Sequence, residues 1–336
     1  MRGKNKSFSR KIYCLRMLIF VFLLVLSSLL LLSQIDYTNE NKKSQEDSSS
    51  HPHIFTFVSK WGSKGSGDGQ FNFPCGIAAD SNGYVYVADR NNHRIQKFTS
   101  EGKFVLKYGS KGSGDGNFKF PCGIAVDNLG YVYVVDRDNC RVQKFTSNGE
   151  FVLKWGSKGF GNGEFYFPYW IAVDNSGFVY VADTGQNRIQ KFTSNGVFVG
   201  KWGSSGSDNG YFRMPLGIAI DSLANVYVVD RYNWRIQKFN SKGEFVTKWG
   251  STGFGDGQFN FPFGIAVDSS RYVYVVDWRN NRIQKFTSNG EFVSKWGSKG
   301  SEDGQFLLPC GIAVDGSGYV YITERGNNRI QKFKTK

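Results

Sequence analysis

The chain has 336 residues, of which 40% are hydrophobic and 16% aromatic, and it contains 41 glycines but only seven prolines. Short runs of Val and Ile between turn residues, with no helical periodicity after residue 35, exclude a mainly helical domain and indicate β-strands. The formal net charge of +14 favours acidic partners, although Lys repeated in every unit is also typical of a solvated surface.

The first 53 residues differ in composition from the rest of the chain. Residues 1–16 carry six basic side chains, and residues 17–35 form an uncharged, leucine-rich run. As a helix this run would span roughly 28 Å, close to the hydrocarbon thickness of a bilayer. The sequence therefore predicts a transmembrane signal-anchor helix over 17–35, with residues 1–16 as a cytoplasmic tail and residues 36–53 as a flexible stalk.

This topology places the remaining domain, residues 54–336, on the extracytoplasmic side of the membrane. A cleaved signal peptide, which would give a secreted protein, is the alternative. It is disfavoured because the apolar run continues through Leu29–Leu32 into Ser33 and Gln34 without a small-residue cleavage site.

Residues 54–336 contain copies of one unit of constant length. The unit recurs every 47 residues, as marked by Pro74, Pro121, Pro168, Pro215, Pro262 and Pro309. In the second copy we predict four strands, Ile124–Asp127, Tyr131–Asp136, Arg141–Phe145 and Phe151–Trp155. Because the second strand is apolar at consecutive positions, both of its faces should be covered, as happens when four-stranded blades stack around a ring. The fold class is therefore predicted to be all-β, a six-bladed β-propeller.

The sixth copy ends before its fourth strand. The segment Phe57–Gly62 matches Phe292–Gly297, which includes a fourth strand, so the N-terminal strand is expected to complete the last blade. Closure of this kind leaves no open radial edge in the ring.

The pattern G-I-A-V-D, V-Y-V-V-D and N-R-I-Q-K-F, as in Gly264–Asp268, Val273–Asp277 and Asn281–Phe286, resembles the NHL repeat. The resemblance covers residues 57–336 and implies the propeller fold. Proteins that share the repeat include tripartite-motif NHL proteins, sensor domains of bacterial membrane kinases and peptidyl-α-hydroxyglycine α-amidating lyases, so the fold is inherited more safely than the activity.

The lyase resemblance would require channel histidines that hold zinc. The sequence has only His51, His53 and His93, and the first two lie in the predicted stalk. The resemblance therefore does not carry this chemistry over, and we expect no catalytic residue, metal or cofactor.

An acidic residue precedes an Arg by five positions in every copy. The acidic residues are Asp89, Asp136, Asp183, Asp230, Asp277 and Glu324. Because catalysis normally needs one asymmetric constellation, a pair present in all six blades is predicted to be a structural ion pair.

Positions at which the copies differ are the candidates for ligand binding, since shared residues satisfy the packing. They concentrate in the turn between the second and third strands and around the repeat proline, two regions that a propeller places on one face. The candidate ligand-binding residues are Arg90, His93, Arg137, Tyr169, Trp170, Arg213, Arg231, Tyr232, Trp234, Phe263, Trp278, Arg279 and Arg325. This mixture of aromatic residues and Arg is typical of interaction hot spots, and drift at solvent-exposed loops is the alternative explanation.

Three cysteines, Cys75, Cys122 and Cys310, share one repeat position in neighbouring blades. Equivalent positions of adjacent blades are expected to be farther apart than the limit of roughly 7 Å for a disulfide. Small buried thiols are therefore favoured over a disulfide or a soft-metal site.

The leading functional hypothesis is a membrane-anchored, non-enzymatic binding or scaffold module. It would recognise a protein, peptide or glycan on the loop-rich face of a monomeric propeller. Single-stranded RNA binding, as in some tripartite-motif NHL proteins, is the second hypothesis, and it requires a cytoplasmic propeller because nucleic acid is not expected outside the cell membrane. A lyase or hydrolase with a site in the central channel is the third.

Overall fold

The structure, a computed structural model, describes residues 55–335. These residues form six antiparallel sheets of four strands each, which are the predicted blades. No helix within 55–335 has the length and apolar character needed to cross a bilayer. The predicted anchor at 17–35 lies outside the described residues, as do the predicted tail and stalk.

The strands follow one another in chain order with the same arrangement in every blade. The first described element is β1 (Phe55–Trp61), and blade 1 contains β2 (Pro74–Ala79), β3 (Tyr84–Asp89), β4 (Arg94–Thr99) and β5 (Phe104–Tyr108). Blade 2 contains β6 (Pro121–Val126), β7 (Val132–Asp136), β8 (Arg141–Phe145) and β9 (Phe151–Trp155). Blade 3 contains β10 (Pro168–Val173), β11 (Val179–Asp183), β12 (Arg188–Phe192) and β13 (Phe198–Trp202).

The second half of the ring repeats this order. Blade 4 contains β14 (Pro215–Ile220), β15 (Val226–Asp230), β16 (Arg235–Phe239) and β17 (Phe245–Trp249). Blade 5 contains β18 (Pro262–Val267), β19 (Val273–Asp277), β20 (Arg282–Phe286) and β21 (Phe292–Trp296). Blade 6 contains β22 (Pro309–Val314), β23 (Tyr319–Glu324) and β24 (Arg329–Thr335), together with β1. Short 3₁₀ helices follow the second strand in four blades, at Arg90–Asn92, Arg137–Asn139, Thr184–Gln186 and Arg231–Asn233.

The predicted strands of the second copy agree with the structure to within one residue except at the start of the first strand; β6 ends at Val126 rather than Asp127, and β7 begins at Val132 rather than Tyr131. β8 and β9 have the predicted bounds, whereas β6 begins at Pro121, three residues before the predicted Ile124. Pro121 pairs with Asp136 and the register then shifts before Ile124, so a bulge separates the proline from the regular ladder. β7 is buried at every position, as its consecutive apolar residues predicted.

The predicted closure of the ring by the N-terminal strand is confirmed. β1 pairs antiparallel with β24, with Phe57 opposite Phe333 and Trp61 opposite Ile330. The exposed ion pair between Lys60 and Asp303, 2.7 Å long, ties β1 to the glycine-rich connection of blade 6. The chain therefore meets itself at the outer edge of this blade, and no blade lacks its fourth strand.

The repeated carboxylate and Arg form a buried structural pair in each blade. In blade 5 the Arg282 Nε lies 2.8 Å from the Asp277 Oδ2, and the carboxylate is fully buried. The same guanidinium donates to the carbonyl oxygens of Phe254, Gly255 and Gln258. The pair thus anchors the glycine-rich connection between blades, in agreement with the predicted structural role.

The turn between the first and second strands is held by another carboxylate. Asp80 accepts hydrogen bonds from the backbone N–H groups of Asn82 and Tyr84 and from the Tyr86 hydroxyl. Gly83 in this turn has a φ of 80°, and Ala224 and Arg271 take its place in blades 4 and 5 with φ values of 61° and 66°. These two residues adopt a left-handed conformation that costs on the order of 1 kcal/mol for a residue with a Cβ atom.

Candidate functional site

The two variable regions of the repeat lie side by side in the structure. The Tyr232 N–H, in the turn after β15, donates to the carbonyl oxygen of Arg213 in the connection before β14. Asn91 and Asn72 make the equivalent backbone contact in blade 1. The turn between the second and third strands and the connection before the first strand therefore share one face of the propeller, which we call the loop-rich face. Since successive turns of an antiparallel sheet emerge at opposite ends, the turn between the first and second strands lies on the opposite face.

Two sets of equivalent residues surround the propeller axis. The inner ring consists of the residues that follow the repeat proline, and they are Cys75, Cys122, Tyr169, Leu216, Phe263 and Cys310. The turn ring consists of the residues that follow the buried carboxylate, and they are Arg90, Arg137, Thr184, Arg231, Trp278 and Arg325. Seven of the predicted ligand-binding residues belong to these two rings.

Arg325 connects the two rings and reaches across the axis. Its Nη2 donates to the Tyr169 hydroxyl at 2.6 Å and to the Cys75 Sγ at 3.0 Å. Tyr169 belongs to blade 3, which is opposite blade 6 in the ring. The guanidinium also lies 4.6 Å from the centre of the Phe263 ring, so Arg325 contacts blades 1, 3 and 5.

Positive charge dominates the turn ring. Within residues 55–335, Arg90, Arg231 and Arg325 form no ion pair with a carboxylate, whereas Arg137 pairs with Asp138 at 3.2 Å. Burial lowers the pKa of Arg231, and the nearby Arg325 guanidinium acts in the same direction. Burial and Arg325 act to lower the pKa of Arg90, but the nearby Cys122, Tyr169 and Cys75 outweigh them, so this pKa is raised.

The thiols of the inner ring are closer together than expected. The Cys310 Sγ lies 3.6 Å from the Cys75 Sγ, and both thiols are free and fully buried. The predicted separation of more than roughly 7 Å concerns the backbone positions and stays a prediction, whereas the two thiols meet because the innermost strands approach each other closely: a Cβ on Gly311 would lie 2.3 Å from the Cys75 carbonyl oxygen. The expectation of small buried thiols is confirmed.

Among the three inner-ring cysteines, Cys75 is the one whose sulfur accepts hydrogen bonds from its neighbours. Burial acts to raise the pKa of Cys75, but hydrogen bonds from Cys122, Cys310 and Arg325 and the charge of Arg325 outweigh burial and hold this pKa well below its usual value. Burial and the neighbouring Cys75 raise the pKa values of Cys122 and Cys310. One anionic sulfur beside Arg325 is the arrangement that these contacts favour.

A second cluster lies on the loop-rich face between blades 4 and 5, and we call it the Phe261 cluster. The rings of Tyr232 and Trp234 lie 5.4 and 6.3 Å from the Phe261 ring. The guanidinium groups of Arg231 and Arg279 lie 5.3 and 4.8 Å from the same ring. Tyr232 is 38% exposed, so the cluster presents aromatic and cationic groups to solvent.

The predicted site residues are divided among the two rings, the Phe261 cluster, the core and the exposed surface. Arg231 joins the Phe261 cluster to the turn ring through Trp278, whose ring centre is 5.2 Å from the guanidinium. Trp170 is a buried residue of β10 that packs against Phe263, and it therefore belongs to the core. Arg213 is exposed and stands outside both rings and the Phe261 cluster.

Several residues of these sites were not among the sequence candidates. Phe261 directly precedes the repeat proline and was missed because the equivalent residues of other blades are also large and apolar. Thr184 and Leu216 were missed because they look unremarkable beside the Arg and aromatic residues at the same repeat positions. Taking the residue of every copy at each variable repeat position, rather than only the Arg and aromatic ones, would have included Thr184 and Leu216.

His93 has a structural role in the turn after β3. It is buried, and its Nδ1 accepts a hydrogen bond from the Phe120 N–H at 3.1 Å. Asn187 and Asn281 occupy the same repeat position and accept the equivalent bonds from Met214 and Leu308 through Oδ1. A backbone N–H thus requires an acceptor here, and either side chain provides it.

Changing His93 to Asn is expected to make stability less dependent on pH. Burial lowers the pKa of His93, with Lys111 and Arg90 adding to the effect. As the pH falls from about 8 to about 5, the unfolded chain takes up a proton before the folded protein does, so the wild type loses stability. The Asn side chain keeps the acceptor and does not titrate.

Denaturant unfolding at both pH values measures this effect. The variant should match the wild type at the higher pH and exceed it at the lower pH. An equal difference at both pH values would contradict the assignment.

Within the described part of the chain, no group of three or more His, Cys, Asp or Glu residues is arranged to hold a metal ion. In the inner ring the three thiols of blades 6, 1 and 2 face Tyr169, Leu216 and Phe263 of blades 3, 4 and 5. The chemistry that the two rings offer is hydrogen-bond donation and cation–π contact.

Comparison with known proteins supports the interpretation of the repeat. The NHL repeat family matches residues 71–98, 118–145, 165–192, 212–239, 259–286 and 306–333. Human E3 ubiquitin-protein ligase TRIM32 is 52% identical over 46 residues, which represent 14% of this chain and 7% of that protein. The chain therefore matches only a small part of this relative's length.

Solved structures with the same fold are more distant in sequence. A protein of unknown function from Bacteroides thetaiotaomicron superposes with a TM-score of 0.65 at 21% identity, covering 84% of this chain and 76% of that one. Virginiamycin B lyase from Staphylococcus aureus gives a TM-score of 0.55 at 17% identity, covering 77% and 80%. These likenesses concern the propeller fold, and the six family matches, which together make up half of the sequence, show that the chain belongs to the NHL-repeat family.

Proposed function

We propose that this protein is a non-enzymatic binding module that holds a protein, peptide or glycan partner on the loop-rich face of its propeller. The observation that carries the proposal is the Phe261 cluster, in which side chains from blades 4 and 5 converge on one aromatic ring. Tyr, Trp and Arg supply large, rigid contact area together with hydrogen-bond donors, which is why they dominate binding hot spots.

Membrane anchorage and topology are part of the same proposal. The uncharged run at 17–35 and the six preceding basic residues support an anchor with its N-terminus in the cytoplasm and the propeller outside. Protease added to intact cells should then cut the chain between the anchor and the propeller. A propeller that stays uncut in intact cells but is cut in lysed cells would contradict this topology.

Site-specific photo-crosslinking on intact cells tests the binding face. A photoreactive phenylalanine analogue at Tyr232 should give a discrete crosslinked species that contains the partner. The control position is Leu129, which is 84% exposed and lies in the turn between β6 and β7, on the opposite face. Equal crosslinking at both positions would indicate nonspecific contact and would count against this face.

A second variant links the crosslink to the cluster without disturbing the fold. Trp234 has a φ of 49°, and three other blades carry Asn at this position with a similar φ, so Trp234→Asn should fold normally. We expect this variant to lose most of the Tyr232 crosslink while its melting temperature is unchanged. Undiminished crosslinking would contradict the role of the cluster.

The crosslinked species also distinguishes the alternatives. Basic and aromatic side chains together can bind single-stranded RNA through phosphate contacts and base stacking. An adduct sensitive to ribonuclease would favour RNA as the partner and would contradict the proposed protein, peptide or glycan partner.

A further inference from the structure

The turn ring contains buried hydrogen-bond donors without acceptors. Among residues 55–335, the Nε atoms of Arg90, Arg231 and Arg325 are buried and have no hydrogen-bond partner, and the Nε1 of Trp278 is in the same state. Arg325 is only 9% exposed. Because a buried charged donor without a partner costs free energy, the three guanidinium donors near one axis indicate a site that an acceptor completes. In the same range of residues the Nε1 atoms of Trp61, Trp155, Trp202, Trp249 and Trp296 are also without a partner, so the Trp278 Nε1 alone would not indicate a site.

The charge of the ring points to the kind of acceptor. Arg90, Arg231 and Arg325 carry three positive charges without a carboxylate partner, and Cys75 can supply at most one negative charge in return. Guanidinium groups are the side chains that best bind a carboxylate, because their planar fork matches its two oxygens. The missing partner is therefore expected to be an anion.

The walls of the site indicate what the anion is attached to. Phe263 lies 5.3 Å from the Arg231 guanidinium and 4.6 Å from that of Arg325. The Trp278 ring lies 5.2 Å from the Arg231 guanidinium and 6.3 Å from the Phe263 ring, so the two aromatic rings adjoin each other beside this cation. Aromatic walls of this kind favour an apolar or aromatic body over a strongly hydrated one.

Access comes from the loop-rich face. Arg90, Arg231 and Trp278 are each half-buried, as is Tyr169 of the inner ring, whereas Arg325 and the other inner-ring residues are buried. The Arg325–Tyr169 hydrogen bond crosses the axis from blade 6 to blade 3. The turn ring is thus open to solvent on the loop-rich face, where a small molecule or one side chain can reach its cationic groups.

We propose that the turn ring binds the carboxylate of a small organic acid with an apolar or aromatic body, through Arg90, Arg231, Arg325 and the Trp278 Nε1. The carboxylate accepts hydrogen bonds from the unpaired guanidinium Nε–H groups, and the body of the acid packs against Trp278 and Phe263. This site shares Arg231 with the Phe261 cluster but faces the axis, and it requires neither a macromolecular partner nor a membrane.

Calorimetric titration of the full chain in detergent with four matched probes tests the proposal. The probes are benzoate, benzamide, acetate and phenyl phosphate. Benzoate should bind saturably with one molecule per chain, because it has both the carboxylate and the aromatic body. Benzamide, which lacks the charge, should not bind, and acetate, which lacks the body, should bind at least about tenfold more weakly.

Two variants locate the binding. Arg231→Gln should weaken benzoate binding at least about tenfold, because it removes a charged donor from the site. Arg213→Gln, an exposed position outside both rings, should bind benzoate as the wild type does. Should Arg231→Gln fail to fold, Trp278→Phe keeps the ring and removes the Nε1 donor, and a several-fold loss of benzoate affinity is expected.

Four results would overturn the proposal. These are the absence of saturable benzoate binding, equal binding of benzamide, and benzoate affinity that Arg231→Gln or its substitute leaves unchanged in a folded protein. The fourth is tighter binding of phenyl phosphate, which would assign the ring to phosphate rather than carboxylate. None of these results bears on the crosslink at Tyr232, so the two proposals fail separately.

Discussion

Deleting residues 54–62 is expected to abolish the cooperative unfolding transition of the propeller. The deletion removes β1 and leaves β24 as an unpaired edge in blade 6. It also removes Phe55, which stacks on Trp296 at 3.7 Å, and Trp61, which contacts Phe98 and Tyr321. These contacts join blade 6 to blades 5 and 1, so their loss opens the ring on both sides.

Thermal unfolding followed by circular dichroism and by tryptophan fluorescence measures this effect. Loss of cooperativity should appear as a broad transition whose midpoint differs between the two signals. The matched control is deletion of residues 45–53, which has the same length and ends before β1. A melting transition that the deletion of 54–62 leaves unchanged would refute the pairing of β1 with β24.

Replacing Arg282 by Met is expected to lower the free energy of unfolding by about 3–5 kcal/mol, the usual cost of breaking a buried ion pair on one side. Asp277 would stay fully buried without its partner. Burial already raises the pKa of this carboxyl despite its hydrogen bonds, so the variant must either hold an unpaired charge or take up a proton. Three carbonyl oxygens of the glycine-rich connection would also lose a donor.

The same blade offers a matched control for this change. Lys295 pairs with Asp256 at 2.7 Å, but both side chains are about half exposed to solvent. Lys295→Met should therefore change the free energy of unfolding by less than about 1 kcal/mol. Denaturant unfolding of both variants decides the matter, and equal losses would mean that burial does not set the strength of these pairs.

The repeat made most of the fold predictable. The constant spacing gave six blades, and the match between Phe57–Gly62 and Phe292–Gly297 identified the closing strand. The start of each first strand was harder to predict from the sequence, because the bulge after Pro121 interrupts the ladder without a signal in the local sequence. Boundaries that depend on tertiary pairing are harder to predict than strands that follow apolar periodicity.

The candidate site was predictable as a set of positions but not as a geometry. Comparing copies identified Arg231, Trp278 and Arg325, and the structure brings them to the axis. The sequence could not show that Arg325 reaches Tyr169 in the opposite blade, because that contact depends on the width of the ring. It also could not show that Trp170 turns inward, since the other five blades have glycine at this position.

The side chains of the six inner-ring residues occupy the same limited space around the propeller axis. Six large side chains would collide there and six small ones would leave a void, so the repeat cannot be identical at this position. The ring combines three thiols with Leu216, Tyr169 and Phe263, which lets small residues face large ones. Enlarging one of them is therefore tolerable only if another shrinks, and substitutions at this position should be interdependent across blades far apart in sequence.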